Sequence, residues 1–467
     1  MNVLLIQPPE AAPAVPSRSL PRTAQRVVRP PWDLMCLQAY LTQRSRHVGA
    51  LVDARFFSAL ETELLAAARR LPAPRVAILH TETEGLGQAM GVLDALKRAF
   101  PTLPVGLCGP HPSEFPEAAV RLPRVDFVLA GDPEPILHSL LDYFTVEARI
   151  QHVPGLLLPG SPPKKAHWLA DLNSLTLPDW HDAFLSAYAG PPGSGGCVAE
   201  LRLTRGHTGC PSDRAFGLAG EPLRLWRMDR LASCIQRASD KGVAEVFLAD
   251  PPGVWTPARL DQWCEALVQT RNVIPWSLQL LPTFLSPDAI YQMGRTLCRR
   301  VVFLLPSCDR SNLLQYGCTL DAPGLTRTFE ELRQAGIEPH VEVWLGGPEE
   351  STGAGRRIVR MLSDLKFPPF TLRAFPCRLD APICLEVQAE GPPPLAAWTD
   401  WASDPWNRPR PQSVWGGSES ITRLDAEMQT VLRSVENHPL RIVRQGWEAL
   451  RTGQFLKMVA QGIRLRA

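Results

Sequence analysis

Two separate runs of alternating strand-like and helix-like segments constrain this chain more than any other feature. In the first run, short apolar stretches at 2–7, 48–53, 75–80, 103–108 and 125–129 read as buried strands. Pro8-Pro9 stops the first of them, and Asp53 ends the second. Helical patterns at 33–45, 60–70, 86–100, 114–121 and 133–144 separate them. Apolar strands alternating with helices predict a doubly wound α/β domain, a parallel sheet covered on both faces. Ligands of such sheets bind at the carboxyl ends of the strands. A second run starts near residue 199, with strands predicted at 199–204, 243–249, 275–281, 300–305, 340–345 and 370–375. Its helices are predicted at 227–240, 257–270, 286–295, 322–335 and 352–365. Six strand–helix units fit a partial (β/α)6 barrel of the TIM type, whose sites lie in the loops after the strands.

Composition narrows the function classes. A length of 467 residues is enough for two or three domains, and a net charge of +2 gives no field that would select nucleic acid or an anionic membrane. No apolar run is long enough to span a bilayer. The start, Met1 to Pro9, has no basic leader, so the expected compartment is cytoplasmic. Eleven cysteines stand at 36, 108, 197, 210, 234, 264, 298, 308, 318, 377 and 384 without one CxxC pair. That spacing argues against a disulfide framework and for buried thiols acting as small apolar residues.

The strand ends of the first run carry a recognisable set. His80-Thr81-Glu82-Thr83 follows one strand, Gly109-Pro110-His111-Pro112-Ser113 the next, and Gly131-Asp132-Pro133-Glu134 the next. This order resembles the cobalamin-binding domain of the cobalamin-dependent radical SAM family, which includes methyltransferases and a ring cyclase. The resemblance covers nearly all of 1–145. It implies cobalamin contacts at Gln7, Pro8, Asp53, Thr81, Thr83, Gly109, Pro110, His111, Gly131, Asp132 and Glu134. No DxHxxG motif is present, so the lower cobalt face has no obvious protein ligand; His80 and His111 are possible face contacts. A generic doubly wound domain, with Gly109 and Gly131 as ordinary turn glycines, is the alternative.

The stretch Gly209 to Gly217 is similar to the cluster loop of the same family, where a CxxxCxxC spacing holds a 4Fe-4S cluster. Cys210 fills the first slot, but Arg214 and Gly217 fill the others. Starting instead from the lead-in Thr204-Arg205-Gly206-His207 puts His207, Pro211 and Arg214 in the slots. Such clusters are held by thiolates, which neither a guanidinium nor a glycine replaces. Other family landmarks are mixed. Val246–Asp250 matches an acid-ending strand, with Pro251 where a second acid is common. Leu280-Leu281-Pro282 stands where a basic residue is expected, and Pro306 where a glutamate contacts SAM. Trp344 to Glu350 resembles an intact turn near the SAM adenine, which implicates Gly346 and Gly347 as a vestigial SAM site. Cys210 is then a vestigial metal ligand, and the cluster and S-adenosylmethionine are expected to be absent. A cluster rebuilt from Cys197, His207 and Cys210 together with Cys308 or Cys318 is the counter-reading.

The expected organisation is a cobalamin-binding-like domain at 1–145, a linker at 146–196, a radical SAM-like barrel at 197–376 and a Pro/Trp-rich segment with a helical cap at 377–467. Within the linker, Asp171 to Trp180 resembles the segment that joins the family's two domains. Helical pattern returns over 422–436 and 439–464, and Trp398, Trp401 and Trp406 offer either a plain cap or an aromatic lid. Three functions remain open: an accessory cobalamin-binding pseudoenzyme serving a partner enzyme of a biosynthetic pathway; an active methyltransferase or cyclase with a relocated cluster; and a scaffold holding neither cofactor.

Overall fold

A computed structural model describes residues 1–9, 28–73, 75–83, 85–146, 153–162, 164–180, 185, 187–188, 196–208, 218, 220–283, 285–316, 318–345, 353–366, 368–374, 426–427, 430–431 and 434. The first run folds as five parallel strands, β1 (Asn2–Gln7), β2 (Val48–Asp53), β3 (Arg75–His80), β4 (Val105–Cys108) and β5 (Phe127–Leu129), in the order 2-1-3-4-5. A short β6 (Leu156–Leu157) pairs antiparallel at the edge. Period-two alternation splits β1 between two cores. Val3 and Leu5 face Leu34, Leu37 and Leu41 of α1 (Trp32–Arg44) and Ile136 and Leu140 of a C-terminal helix of this domain. Leu4 and Ile6 face the other side, with α2 (Leu60–Arg70) and α3 (Leu86–Ala99).

The predicted helix at 114–121 is instead two short ones, α4 (Pro110–Glu114) and α5 (Pro116–Val120). Pro116 explains the break, because a proline disfavours helical geometry in the residue before it, and Phe115 takes φ −121°. The last helix of the domain, α6, runs Pro133–Val146.

The second run folds as a parallel sheet in sequential order: β7 (Cys197–Leu201), β10 (Val243–Leu248), β11 (Trp276–Leu280), β12 (Cys298–Leu305), β13 (Glu338–Leu345) and β14 (Phe370–Ala374). Between the first two, β8 (Thr204–Arg205) pairs antiparallel with β9 (Arg224–Leu225). Helices α7 (Met228–Asp240), α8 (Pro257–Gln269), α9 (Pro287–Arg295), α10 (Arg310–Gln315), α11 (Ala322–Gln334) and α12 (Ala354–Asp364) fill the connections. Thr256 and Ser286 cap α8 and α9 through the amides of Arg259 and Ala289, and each helix has proline next, where a missing N–H costs nothing.

The first barrel strand ends at Leu201 rather than 204, because the amides of Leu203 and Thr204 turn aside to a buried carboxylate described below. The 146–196 stretch is woven into both halves. Leu156 belongs to the first sheet's core, while Leu172, Leu175 and Trp180 lie in the barrel's core beside Trp32 and Cys36 of α1. Helix α1 therefore serves both halves, with Leu34, Leu37 and Leu41 in the first sheet's core and Trp32, Met35 and Cys36 in the barrel's. No helix among the described residues is long and apolar enough to cross a membrane.

Candidate functional site: two facing strand edges

The carboxyl ends of the two sheets point at each other. Arg205, just beyond β7, reaches Asp132 and Glu134, just beyond β5. Arg202 reaches Asp33 in the first turn of α1, 3.5 Å away. A ligand at either edge therefore lies against the other edge.

On the N-terminal side the expected residues do gather at one edge, and their polar atoms are mostly committed to protein. Gly109 has φ +104°, and a Cβ there would lie 3.0 Å from the His80 ring. Pro110 opens α4, and the amide of buried His111 donates to the Thr81 carbonyl at 3.1 Å. His111 Nδ1 and Thr83 Oγ1 are 3.0 Å apart. Ser113 Oγ donates to the Gly109 carbonyl and accepts from the Gly131 amide, stitching two strand ends together. Gly131 has φ +105°, and a Cβ there would sit 2.0 Å from the His167 carbonyl oxygen. Asp53 accepts from the amide and Nε of Arg55 and, at 2.6 Å, from the Tyr188 hydroxyl. Burial first, and then the Asp53 charge, push that phenol far above its ordinary range. Gln7 is half-buried and Pro8 buried where β1 ends, beside the topological switch between β1 and β3.

The junction is ionic. Arg205 donates to both oxygens of Glu134, at 2.6 and 3.1 Å, and to Asp132 Oδ1 at 2.9 Å. Arg224 donates to Asp132 Oδ2 and to Glu221 at 2.9 Å. Asp132 and Glu134 are fully buried, so these pairs are shielded from solvent. Burial lifts the Glu221 carboxyl to about 7, against the pull of Arg224. Nearer the switch point the network is more open. Asp33 faces His80 Nε2 at 3.9 Å, and Arg202 pairs with Glu200 at 2.8 Å. The Asp33 and Arg202 side chains keep 32% and 42% of their exposure, which leaves solvent access at that spot.

On the barrel side Asp250 is the organising residue. It is buried at the end of β10 and accepts from the Leu203 amide at 3.0 Å and from the Thr204 amide and hydroxyl at 2.8 Å each. Burial raises its carboxyl to about 6, and those three donors pull against the rise. It thus anchors the chain where the 206–223 loop departs. His207 Nε2 lies 3.2 Å from the Leu218 carbonyl, across the same loop. Cys210, Arg214 and Gly217, and also Gly346 and Gly347, lie outside the described residues.

The other thiols can be placed. Cys197 pairs with Val243 at the amino end of β7, about 13 Å from the strand's other end at 3.3 Å per residue. It cannot join a cluster in the loop that follows. Cys308 stands on the correct edge, half-buried, with Sγ 3.6 Å from the Ala354 carbonyl. Cys318 is buried. Burial raises Cys197, Cys234 and Cys264 to about 11, as expected of inert core thiols. Among the described residues no three His, Cys, Asp or Glu side chains converge as a metal site. Of the C-terminal segment, Glu427 accepts from the amides of Gly353 and Gly355 at the start of α12, and Val431 is in the barrel core. The tryptophans at 398, 401 and 406 and nearly all of 422–464 lie outside the described residues.

Sequence reading named neither Asp33 and Arg202 nor Glu221 and Arg224 as site residues. Arg205 carried a signal as part of the loop's lead-in; Arg224 carried none, because only the fold brings it to Asp132.

No family model matches the sequence, and no curated protein matches it. Solved structures do. The radical SAM methyltransferase TsrM from Kitasatospora setae, with cobalamin and an iron–sulfur cluster bound, superposes at TM-score 0.60 with 17% identity over 83% of this chain and 74% of that one. The same protein with tryptophan and a SAM analogue gives 0.59 at 15% identity, over 83% and 75%. The cobalamin-dependent radical SAM enzyme OxsB gives 0.58 at 13% identity, over 77% of this chain and 51% of that one. The chain therefore has the two-domain fold of the cobalamin-dependent radical SAM enzymes, as the strand-end resemblance implied.

Proposed function

We propose that this protein binds a corrinoid at the N-terminal sheet's carboxyl edge and does not cleave SAM through a 4Fe-4S cluster. On this reading it is an atypical or accessory member of a biosynthetic pathway, working beside a partner enzyme. The observation that carries it is the loop after β7, where one thiol, Cys210, stands in a three-thiol spacing whose other slots hold Arg214 and Gly217. The fold similarity to two cobalamin-dependent enzymes supports the corrinoid half.

The residues present fit a flat, amide-fringed ring laid over the switch point. Gln7, Pro8, Thr81 and Gly109, at the ends of β1, β3 and β4, would lie beneath it, and the half-open Asp33 and Arg202 would supply an acceptor and a donor at its rim. Nearby, His80 Nε2 faces Asp33 at 3.9 Å and His111 Nδ1 lies 3.0 Å from Thr83 Oγ1. Cobalamin, when bound, supplies a cobalt that can carry a methyl group. This chain's part would be to hold the ring and screen it from water.

Titration with hydroxocobalamin tests the corrinoid half. Saturable spectral change with a raised melting temperature is expected, since a ligand selective for the folded state stabilises it. No change in either would favour a scaffold that holds neither cofactor. A second reading rests on Cys308, the described thiol on the correct edge. If the protein is an active methyltransferase or cyclase with a relocated cluster, Cys308→Ala and Cys210→Ala should each abolish iron binding. Under the first reading neither changes it.

A further inference from the structure

The strand register places Arg205 of β8 directly opposite Arg224 of β9. Like charges at such a position repel, and a pairing of two residues per strand is marginal in water by itself. Yet this pair closes the base of the 206–223 loop. In a loop with three thiolates, a bound cluster would hold the excursion together and contribute its binding energy to the fold. Here one thiol remains, so something else must oppose both the repulsion and the entropy of closing the loop.

Asp132 stands between the two guanidiniums. Its Oδ1 accepts from Arg205 at 2.9 Å and its Oδ2 from Arg224, so each oxygen serves one arginine. Oδ2 also accepts from the Leu169 amide at 2.7 Å. Glu134 takes the remaining fork of Arg205, and Glu221 that of Arg224. The Leu169 carbonyl accepts from Arg224 at 3.1 Å, and the Trp168 ring lies under its guanidinium at 5.4 Å. Charge-assisted bonds of this kind are about twice as strong as neutral ones, and the Asp132, Glu134 and Arg224 side chains that make them are buried.

We propose that Asp132 and Glu134 are positioning residues that brace the base of the loop after the first barrel strand, through Arg205 and Arg224, and so do mechanically what a metal cluster would otherwise do. The acid motif then belongs to the loop rather than to the corrinoid. The brace rests on the reading that the loop holds no cluster and stands apart from the corrinoid reading.

The test is peptide-resolved hydrogen exchange on the full chain, read at residues 203–208 and 220–226 against β3 and β12. Asp132→Asn leaves two facing buried cations without their bridge, so exchange at the loop base should rise about a hundredfold while the core strands change little. Adding Arg224→Gln to Asp132→Asn removes the repulsion and should recover about tenfold of that loss. A purely structural role for Asp132 predicts the reverse, a further loss. Wild-type protection in Asp132→Asn, or faster exchange still in the double variant, would overturn the brace. Should Asp132→Asn fail to fold, Arg205→Lys keeps the charge and loses the fork. It should raise loop-base exchange about tenfold, and wild-type protection there would overturn the proposal equally. Hydroxocobalamin binding is read on the same samples. An Asp132→Asn protein that keeps loop protection and loses cobalamin would assign Asp132 to the cofactor, against the brace. Wild-type protein that ignores cobalamin would defeat the corrinoid reading alone.

Discussion

The two facing edges are held in different ways. At the N-terminal edge the strand-end residues interlock: Ser113 joins Gly109 to Gly131, and Thr83 meets His111. At the barrel edge the stretches after the strands carry Pro251, Leu281, Pro282 and Pro306, and the loop after β7 carries one cysteine, Cys210. The strands beneath both edges contribute buried apolar residues to the cores. In folds of this kind stability resides in the strands and chemistry in the loops, so loop residues can differ without cost to the core. At the barrel edge Asp250 satisfies backbone amides, a structural task.

The sharpest way to break this contrast is at Gly131. Its positive φ, and the His167 carbonyl oxygen 2.0 Å from where a Cβ would stand, leave no room for any side chain. Gly131→Ala should cost about 3 kcal/mol or more in a urea melt. Tolerance within about 1 kcal/mol would mean that the N-terminal edge is looser than described. On the barrel edge, Asp250→Asn replaces one acceptor oxygen by a donor that faces either the Leu203 amide or the Thr204 amide, and should cost about 1–3 kcal/mol. It should also raise exchange at Leu203 and Thr204.

Between the edges lies a pH effect. Glu221 is raised to about 7, chiefly by burial, above its unfolded value of 4.5. The folded state then binds more protons than the unfolded one between those pH values. Its contribution is fully present below pH 4.5 and is lost as pH rises through 7. Glu221→Gln should remove a fall in stability on the order of 1 kcal/mol or more between about pH 5 and 8. An unchanged pH profile would place the titrating group elsewhere. The smallest effect is expected on the outer surface. Breaking the exposed Arg98–Glu61 pair by Arg98→Gln should change stability by less than about 0.5 kcal/mol.

The fold was legible in the sequence because apolar period and length specify buried strands. Helix 60–70 and strands 2–7, 48–53 and 75–80 coincide with the structure to the residue. Two of the boundary differences have local causes, Pro116 in one case and the Asp250 acceptor in the other. The expected cobalamin residues were legible as a set on one edge, but not what their side chains touch. That Asp132 and Glu134 turn to arginines 71 to 92 positions away follows from the docking of two domains, which no local pattern encodes. Asp53 likewise meets Tyr188 only through the fold, 135 positions on.

The central claim is that the corrinoid edge is retained while the loop beyond β7 cannot carry a four-iron cluster. It is tested most directly by anaerobic reconstitution of the full chain with iron, sulfide and hydroxocobalamin, followed by metal analysis and an assay for 5′-deoxyadenosine with SAM and a reductant. The account predicts one cobalt per chain, iron well below four per chain and no deoxyadenosine. Four irons and four sulfides per chain, with deoxyadenosine formed, would contradict it.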